Sequence, residues 1–134
     1  MGTELKIMIA DDHQIVRMGL ASIFGKESDI SVIGEARNGI EAVGLARELK
    51  PDVILMDLMM PKKNGVQATL EILAENPDAK ILILTTFGTA DEVRQALDAG
   101  VSGVIVKDTL HEQLISAVRD AAAGRRIVSD EIQR

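Results

Sequence analysis

Five short apolar runs, each parted from the next by a longer stretch of helical period, limit what this chain can become more than any other feature. We read strands at 5–10, 31–36, 53–57, 81–85 and 103–106, and helices at 14–26, 39–49, 65–75, 90–99 and 110–123. Five βα units in a row imply a parallel sheet covered on both faces through right-handed crossovers. The unbroken apolar third and fourth runs suit strands buried on both sides, whereas Ser31–Ala36 alternates and belongs at an edge. Four of the runs end on a reactive side chain. Leu5–Ala10 leads into Asp11 and Asp12, Val53–Met56 into Asp57, Ile81–Leu84 into Thr85, and Val104–Val106 into Lys107. Ligands of open α/β sheets bind outside the carboxyl ends of the strands, so these side chains are expected on one rim.

Local chemistry marks several boundaries. Thr89 with Glu92 and Thr109 with Glu112 both fit a capping box, in which hydroxyl and carboxylate satisfy orphan helix N–H groups. Gly100 and Gly124 stand where helix C-caps are expected. Lys50-Pro51 stops a helix before the third strand, and Asn64-Gly65 is a turn signal opening the third helix.

Composition narrows the function. The 134 residues carry a net charge of −6 and no basic run longer than a pair (Lys62-Lys63, Arg125-Arg126). That disfavours nucleic-acid binding by this segment, which would need clustered Lys and Arg. With no cysteine, disulfides and thiolate chemistry are excluded. Phe24 and Phe87 are the only aromatic residues, so base stacking has no platform. No apolar stretch approaches the ~20 residues of a membrane span, and the N-terminus lacks a signal-peptide layout; the chain reads as cytoplasmic.

Asp11 or Asp12 alone would pass as a helix cap. Three carboxylates at one rim repel one another unless a cation is held there. Mg²⁺ suits them, because it takes oxygen ligands and uses few carboxylates alongside a phosphate. Asp57 has a bland role as salt-bridge partner of Lys107, and a chemical one as the nucleophile in phosphoryl transfer. A metal, an ammonium and a hydroxyl around it would supply the charge neutralisation such transfer needs. His13 is read as a helix-start residue near the pocket rather than a metal ligand, since no second histidine lies nearby.

Asp11-Asp12, Asp57 followed by Met60-Pro61 and Gly65, Thr85 and Lys107 together resemble the receiver domain of two-component response regulators. The segments Ile9–His13, Asp57–Pro61, Leu84–Phe87 and Lys107-Asp108 further resemble the NarL/FixJ-type subfamily, whose members carry LuxR-type output. The resemblance covers nearly the whole chain and implies a flavodoxin-like doubly wound (βα)5 fold with strand order 2-1-3-4-5. It implies that Asp57 accepts a phosphoryl group from a sensor histidine kinase. Asp11, Asp12, Asp57 and the backbone carbonyl of Met59 would hold Mg²⁺, with Mn²⁺ as a substitute. Thr85 and Lys107 would contact phosphoryl oxygens.

Residues 1–124 would form the receiver, and 125–134 the start of a linker to a DNA-binding domain not contained in this chain. DNA would be reached only through that domain, and the first and last helices would form a homodimer face. The broad apolar face of Leu114, Ile115, Ala117, Val118, Ala121 and Ala122 fits such a role. The domain would not be an enzyme beyond its own phosphorylation and dephosphorylation.

The chain departs from the family pattern in places. Val104 stands where receivers commonly hold Tyr or Phe, and Asp108 where many have proline. Met59 and Phe87 occupy positions that influence hydrolysis of the phosphorylated form, and neither can orient a water, so slow self-dephosphorylation is expected. The rival reading is a Mg²⁺-dependent phosphohydrolase with Asp57 as nucleophile. Such enzymes usually carry a second acid two residues on, where this chain has Met59. A receiver-like adaptor that signals without phosphate is disfavoured by the complete set of site residues.

Overall fold

In the computed structural model, which describes residues 4–85, 90–107, 109, 111–125 and 127–128, every apolar run becomes a strand of one parallel sheet. The strands are β1 (Leu5–Ala10), β2 (Ile30–Ala36), β3 (Val53–Asp57), β4 (Ile81–Thr85) and β5 (Gly103–Val106). The helices are α1 (Gln14–Gly25), α2 (Gly39–Leu49), α3 (Gly65–Glu75), α4 (Ala90–Ala99) and α5 (His111–Ala122). The order is β2-β1-β3-β4-β5, as expected, with β2 at one edge. A sixth strand, β6 (Ile127–Val128), pairs in parallel with Gly103 and Val104 of β5. The sheet thus gains a strand beyond the five expected, past the anticipated domain end at Gly124.

Successive strand residues point to opposite faces, and each face meets its own helices. Ile7, Ile9, Val53, Leu55, Leu82, Leu84 and Ile105 pack with Leu20 and Phe24 of α1 and with Leu114, Ala117, Val118 and Ala121 of α5. Met8, Ala10, Ile54, Met56, Ile81, Ile83 and Val104 pack with α2, α3 and α4 through Ala42, Val43, Ala68, Ile72, Val93 and Ala96. All ten residues of β3 and β4 are buried. Burying a Leu, Ile or Met side chain contributes about 1.5–3 kcal/mol, which anchors these two central strands most firmly. Val104, where the family commonly has an aromatic, is wholly buried in this second core.

Helix ends follow the expected chemistry in part. Gly100 and Gly124 take positive φ of 103° and 88°, as C-cap glycines do. Asn64 opens α3 with a full capping box to Gln67, more than the turn its sequence announced. Asn38 caps α2 by accepting from the Glu41 amide. The other two expected capping boxes include Thr89 and Leu110, which lie outside the described residues. So do Phe87 and Asp108, and with them the bond after Lys107.

Candidate functional site

Strand register converges the reactive side chains. Ala10 pairs with Met56, so the next residues, Asp11 and Asp57, leave adjacent strand ends side by side. On the other side of β3, Asp57 pairs with Leu84, and Thr85 pairs with Val106. The Lys107 amide donates to the Thr85 carbonyl at 2.9 Å, carrying the ladder to the last site residue. All five reactive residues therefore stand on the rim that sequence indicated.

Asp11, Asp57 and Thr85 are buried, at 2%, 6% and 4% exposure, while Asp12 stands in the open mouth. The Lys107 ammonium donates to Asp11 Oδ2 at 2.8 Å and lies 3.2 Å from Asp57 Oδ2. Asp57 Oδ1 accepts the Met59 amide at 3.3 Å. Both the bland and the chemical readings of Asp57 thus have a geometric basis, since its carboxylate is paired and also lies in the acid cluster. Burial, and then the negative charge of Asp11, push the Asp57 carboxyl above its ordinary pKa of 3.8, while Lys107 pulls the other way. Burial alone would lower Lys107, but its bonds to Asp11 and Asp57 prevail and raise it above 10.5, so it is held as ammonium.

The backbone brings the Asp57 loop close to α3. A Cβ on Gly65 would fall 2.5 Å from the Asp57 carbonyl oxygen and 3.0 Å from Leu58 Cα. Only glycine permits this approach, and the Gly65 amide uses it to donate to the Leu58 carbonyl at 2.9 Å.

Arg17 belongs to the site although the sequence reading passed over it. Its side chain, only 10% exposed, donates from Nη1 to the Asp11 carbonyl at 2.7 Å and from Nε to Glu35 Oε1 at 3.2 Å. Arg17, Leu20 and Phe24 are the buried residues of α1. A charge on the apolar stripe of an amphipathic helix was the signal that could have revealed it.

His13 stands where it was expected, at the start of α1 beside the pocket. It takes the N-cap position of α1 with extended backbone, but its ring caps nothing. Its Nδ1 instead lies 3.2 Å from both Asp11 Oδ1 and Asp12 Oδ1, and its amide donates to Asp11 Oδ1 at 2.8 Å. Asp11, Asp12, His13 and Asp57 offer ligand atoms that all lie within 4.8 Å of one another. Three carboxylates against one ammonium and one guanidinium leave a negative excess, and a divalent cation fits this oxygen-rich pocket.

A strand-terminal carboxylate, an ammonium, a hydroxyl-bearing residue and an acidic cluster that could hold a cation stand together on one rim of a doubly wound sheet. Residues 7–119 match the family described as the response regulator receiver domain, and the chain belongs to that family. The response regulator protein VraR of Staphylococcus aureus (strain Mu3 / ATCC 700698) is 44% identical over 128 residues, which cover 96% of this chain and 61% of VraR. The chain thus spans about three-fifths of the length of that relative. A two-component response regulator of the LuxR family from Aurantimonas sp. SI85-9A1 superposes with a TM-score of 0.92 at 35% identity, over 98% of this chain and 94% of that one. The signal receiver domain of NarL from Mycobacterium tuberculosis gives a TM-score of 0.88 at 29% identity, over 92% and 99% respectively. The family bears out the fold and the signalling class expected from sequence. The phosphohydrolase alternative is not favoured. No helix among the described residues is long and apolar enough to cross a membrane.

Proposed function

We propose that Asp57 is the phosphoacceptor of this receiver, and that a sensor histidine kinase is the donor. The observation that carries the reading is the Asp57 carboxylate at the end of β3, buried beside Asp11 and bridged by Lys107 at 3.2 Å. An Asp57 carboxylate oxygen would attack phosphorus as the donor's P–N bond breaks. The bonding electrons leave with the donor imidazole, which takes a proton from solvent. Lys107 would shift its ion pair from Asp57 to a phosphoryl oxygen, and the Thr85 hydroxyl would donate to another. Asp11, Asp12, Asp57 and the Met59 carbonyl would hold Mg²⁺, or Mn²⁺ in its place, and the cation would neutralise charge on the phosphoryl group. Direct self-phosphorylation from small donors and slow self-dephosphorylation would be the domain's only catalysis.

The charge change at the rim would bias the loops around Asp57 and Thr85 and so switch an output. Residues 1–124 would act as the receiver, with β6 extending their sheet into the stretch 125–134 that would begin the linker to a LuxR-type DNA-binding domain. That output would be transcriptional and cytoplasmic, supported by kinship with VraR and LuxR-family regulators. A homodimer through α1 and α5 is supported by Ile15 and Met18, which stand 83% and 60% exposed on α1. On α5, by contrast, most of the apolar breadth is spent on the sheet: Leu114, Ala117, Val118 and Ala121 are buried.

Incubation with acetyl phosphate or phosphoramidate and Mg²⁺, followed by intact mass measurement, tests the reading. One hydroxylamine-sensitive phosphoryl adduct is expected, absent in Asp57→Asn, and persisting for minutes or longer because Met59 offers no polar group to a water. An adduct that survives Asp57→Asn, or steady phosphate release from unrelated phosphoesters, would overturn it. Decay within seconds would remove the argument from Met59.

A further inference from the structure

We propose that Arg17 is a positioning residue for the rim: its guanidinium fixes the peptide between Asp11 and Asp12, and so sets how well their carboxylates hold Mg²⁺. This rests on the reading of Asp11, Asp12 and Asp57 as the metal carboxylates. The β1–β2 pairing ends where Ala10 meets Ala36, and just past it the Asp11 amide donates to the Ala36 carbonyl at 3.0 Å. The Asp11 carbonyl, one step further on, is taken up by Arg17 Nη1 at 2.7 Å. That carbonyl lies in the rigid peptide plane joining Asp11 to Asp12, so its direction fixes the backbone from which both carboxylates project.

Arg17 is built to hold a direction. It lies in the first turn of α1, where its own amide donates to the His13 carbonyl at 3.1 Å. While Nη1 grips the Asp11 peptide, Nε donates to Glu35 Oε1 near the end of β2 at 3.2 Å. Two bonds from one planar fork orient the guanidinium as well as place it. The side chain is only 10% exposed, on the stripe that Leu20 and Phe24 otherwise fill. A charge buried there is costly where an apolar residue would pack, and these bonds offset the cost. The effect reaches the reacting carboxylate. The Asp11 side chain carried by this peptide accepts Lys107 at 2.8 Å, and Lys107 lies 3.2 Å from Asp57.

Charge and position act on the cation with opposite sign, which separates them. A guanidinium beside an acidic pocket repels an incoming cation, so by charge alone its loss tightens Mg²⁺ binding. A guanidinium that holds the ligands in place does the reverse, and its loss loosens binding by the about 10–100-fold typical of residues that orient metal ligands. Arg17→Lys keeps the charge but cannot make both bonds, so charge alone predicts no change there.

The test is Mg²⁺ titration of the 134-residue chain at pH 7.5, followed by backbone amide NMR, for wild type, Arg17→Gln, Arg17→Lys, Glu35→Asp and Leu20→Ala. Leu20 is buried on the same helix, so its variant carries a loss of stability with the fork intact. Both Arg17 variants should weaken Mg²⁺ binding about tenfold, and Glu35→Asp, which keeps its charge on a shorter arm, about threefold. Leu20→Ala should stay within about twofold of wild type. The Mg²⁺ concentration giving half-maximal phosphorylation by phosphoramidate should rise by the same factors. Unchanged or tighter binding in the Arg17 variants would overturn the role of Arg17. Unchanged binding in Glu35→Asp would overturn it even where the Arg17 variants fail to fold, and so would equal weakening in Leu20→Ala. In each of these cases wild type still binds Mg²⁺ and the carboxylate site stands. A wild type that binds none would overturn both readings together.

Discussion

Asp57 is ionised at neutral pH at some cost to the fold. Burial and Asp11 raise its pKa above the ordinary 3.8, despite Lys107. A raised folded pKa means that the folded protein holds the proton more tightly than the unfolded chain. The stability so gained is complete below the unfolded value and is lost as pH rises through the folded one. Asp57→Asn cannot ionise, so it should melt a few degrees higher than wild type at pH 7 without Mg²⁺. The gain should shrink as pH is lowered toward 4 and when Mg²⁺ is added to the wild type. Thermal scans across pH check this, and a lower Tm for the variant at pH 7 would contradict it. Arg17 works in the opposite sense. Arg17→Gln removes the fork joining the Asp11 carbonyl to Glu35 and should cost about 1–3 kcal/mol in urea unfolding. Arg17→Lys keeps the charge without the fork and should recover only part of that loss.

At the scale of elements, most boundaries could be read in the sequence because each had a local cause. Parallel strands buried on both faces read as unbroken apolar runs, and β1, β3, β4 and β5 start and stop where those runs do. What could not be read depended on neighbours. Lys50 ends α2 in the left-handed region, at φ 48° and ψ 59°, a conformation its side chain gives no sign of. β6 is two residues long and exists by pairing with β5, so no periodicity could announce it. The ring of His13 caps nothing and lies instead against the acid pair, a contact set by the neighbouring carboxylates rather than by its own place in the helix. Among the site residues, Asp11, Asp12, Asp57, Thr85 and Lys107 were legible because they interrupt apolar runs. Arg17 was hidden inside a helical stripe. Lys50 also gives a test at this scale. Lys50→Gly should relieve the left-handed strain and stabilise by about 0.5–1 kcal/mol, raising the urea midpoint without altering the m-value.

For the molecule as a whole, the open question of assembly turns on α1. Ile15 and Met18 place exposed apolar surface on α1, whereas Leu114, Ala117, Val118 and Ala121 of α5 are buried in the core. Ile15→Glu should keep the protein monomeric under conditions, such as beryllofluoride with Mg²⁺, in which wild type dimerises. Sedimentation equilibrium checks this, and a wild type that stays monomeric at high concentration would count against the dimer. The sixth strand bears on the same question from another side. An open outer strand presents a row of unpaired backbone donors and acceptors that any similar chain can adopt as its own. Here β6 fills that row along Gly103 and Val104, and the protein in effect plugs its own adhesive seam. A chain cut back to Gly124 would leave the seam open, and its copies would join strand to strand, a stickiness unrelated to any signal.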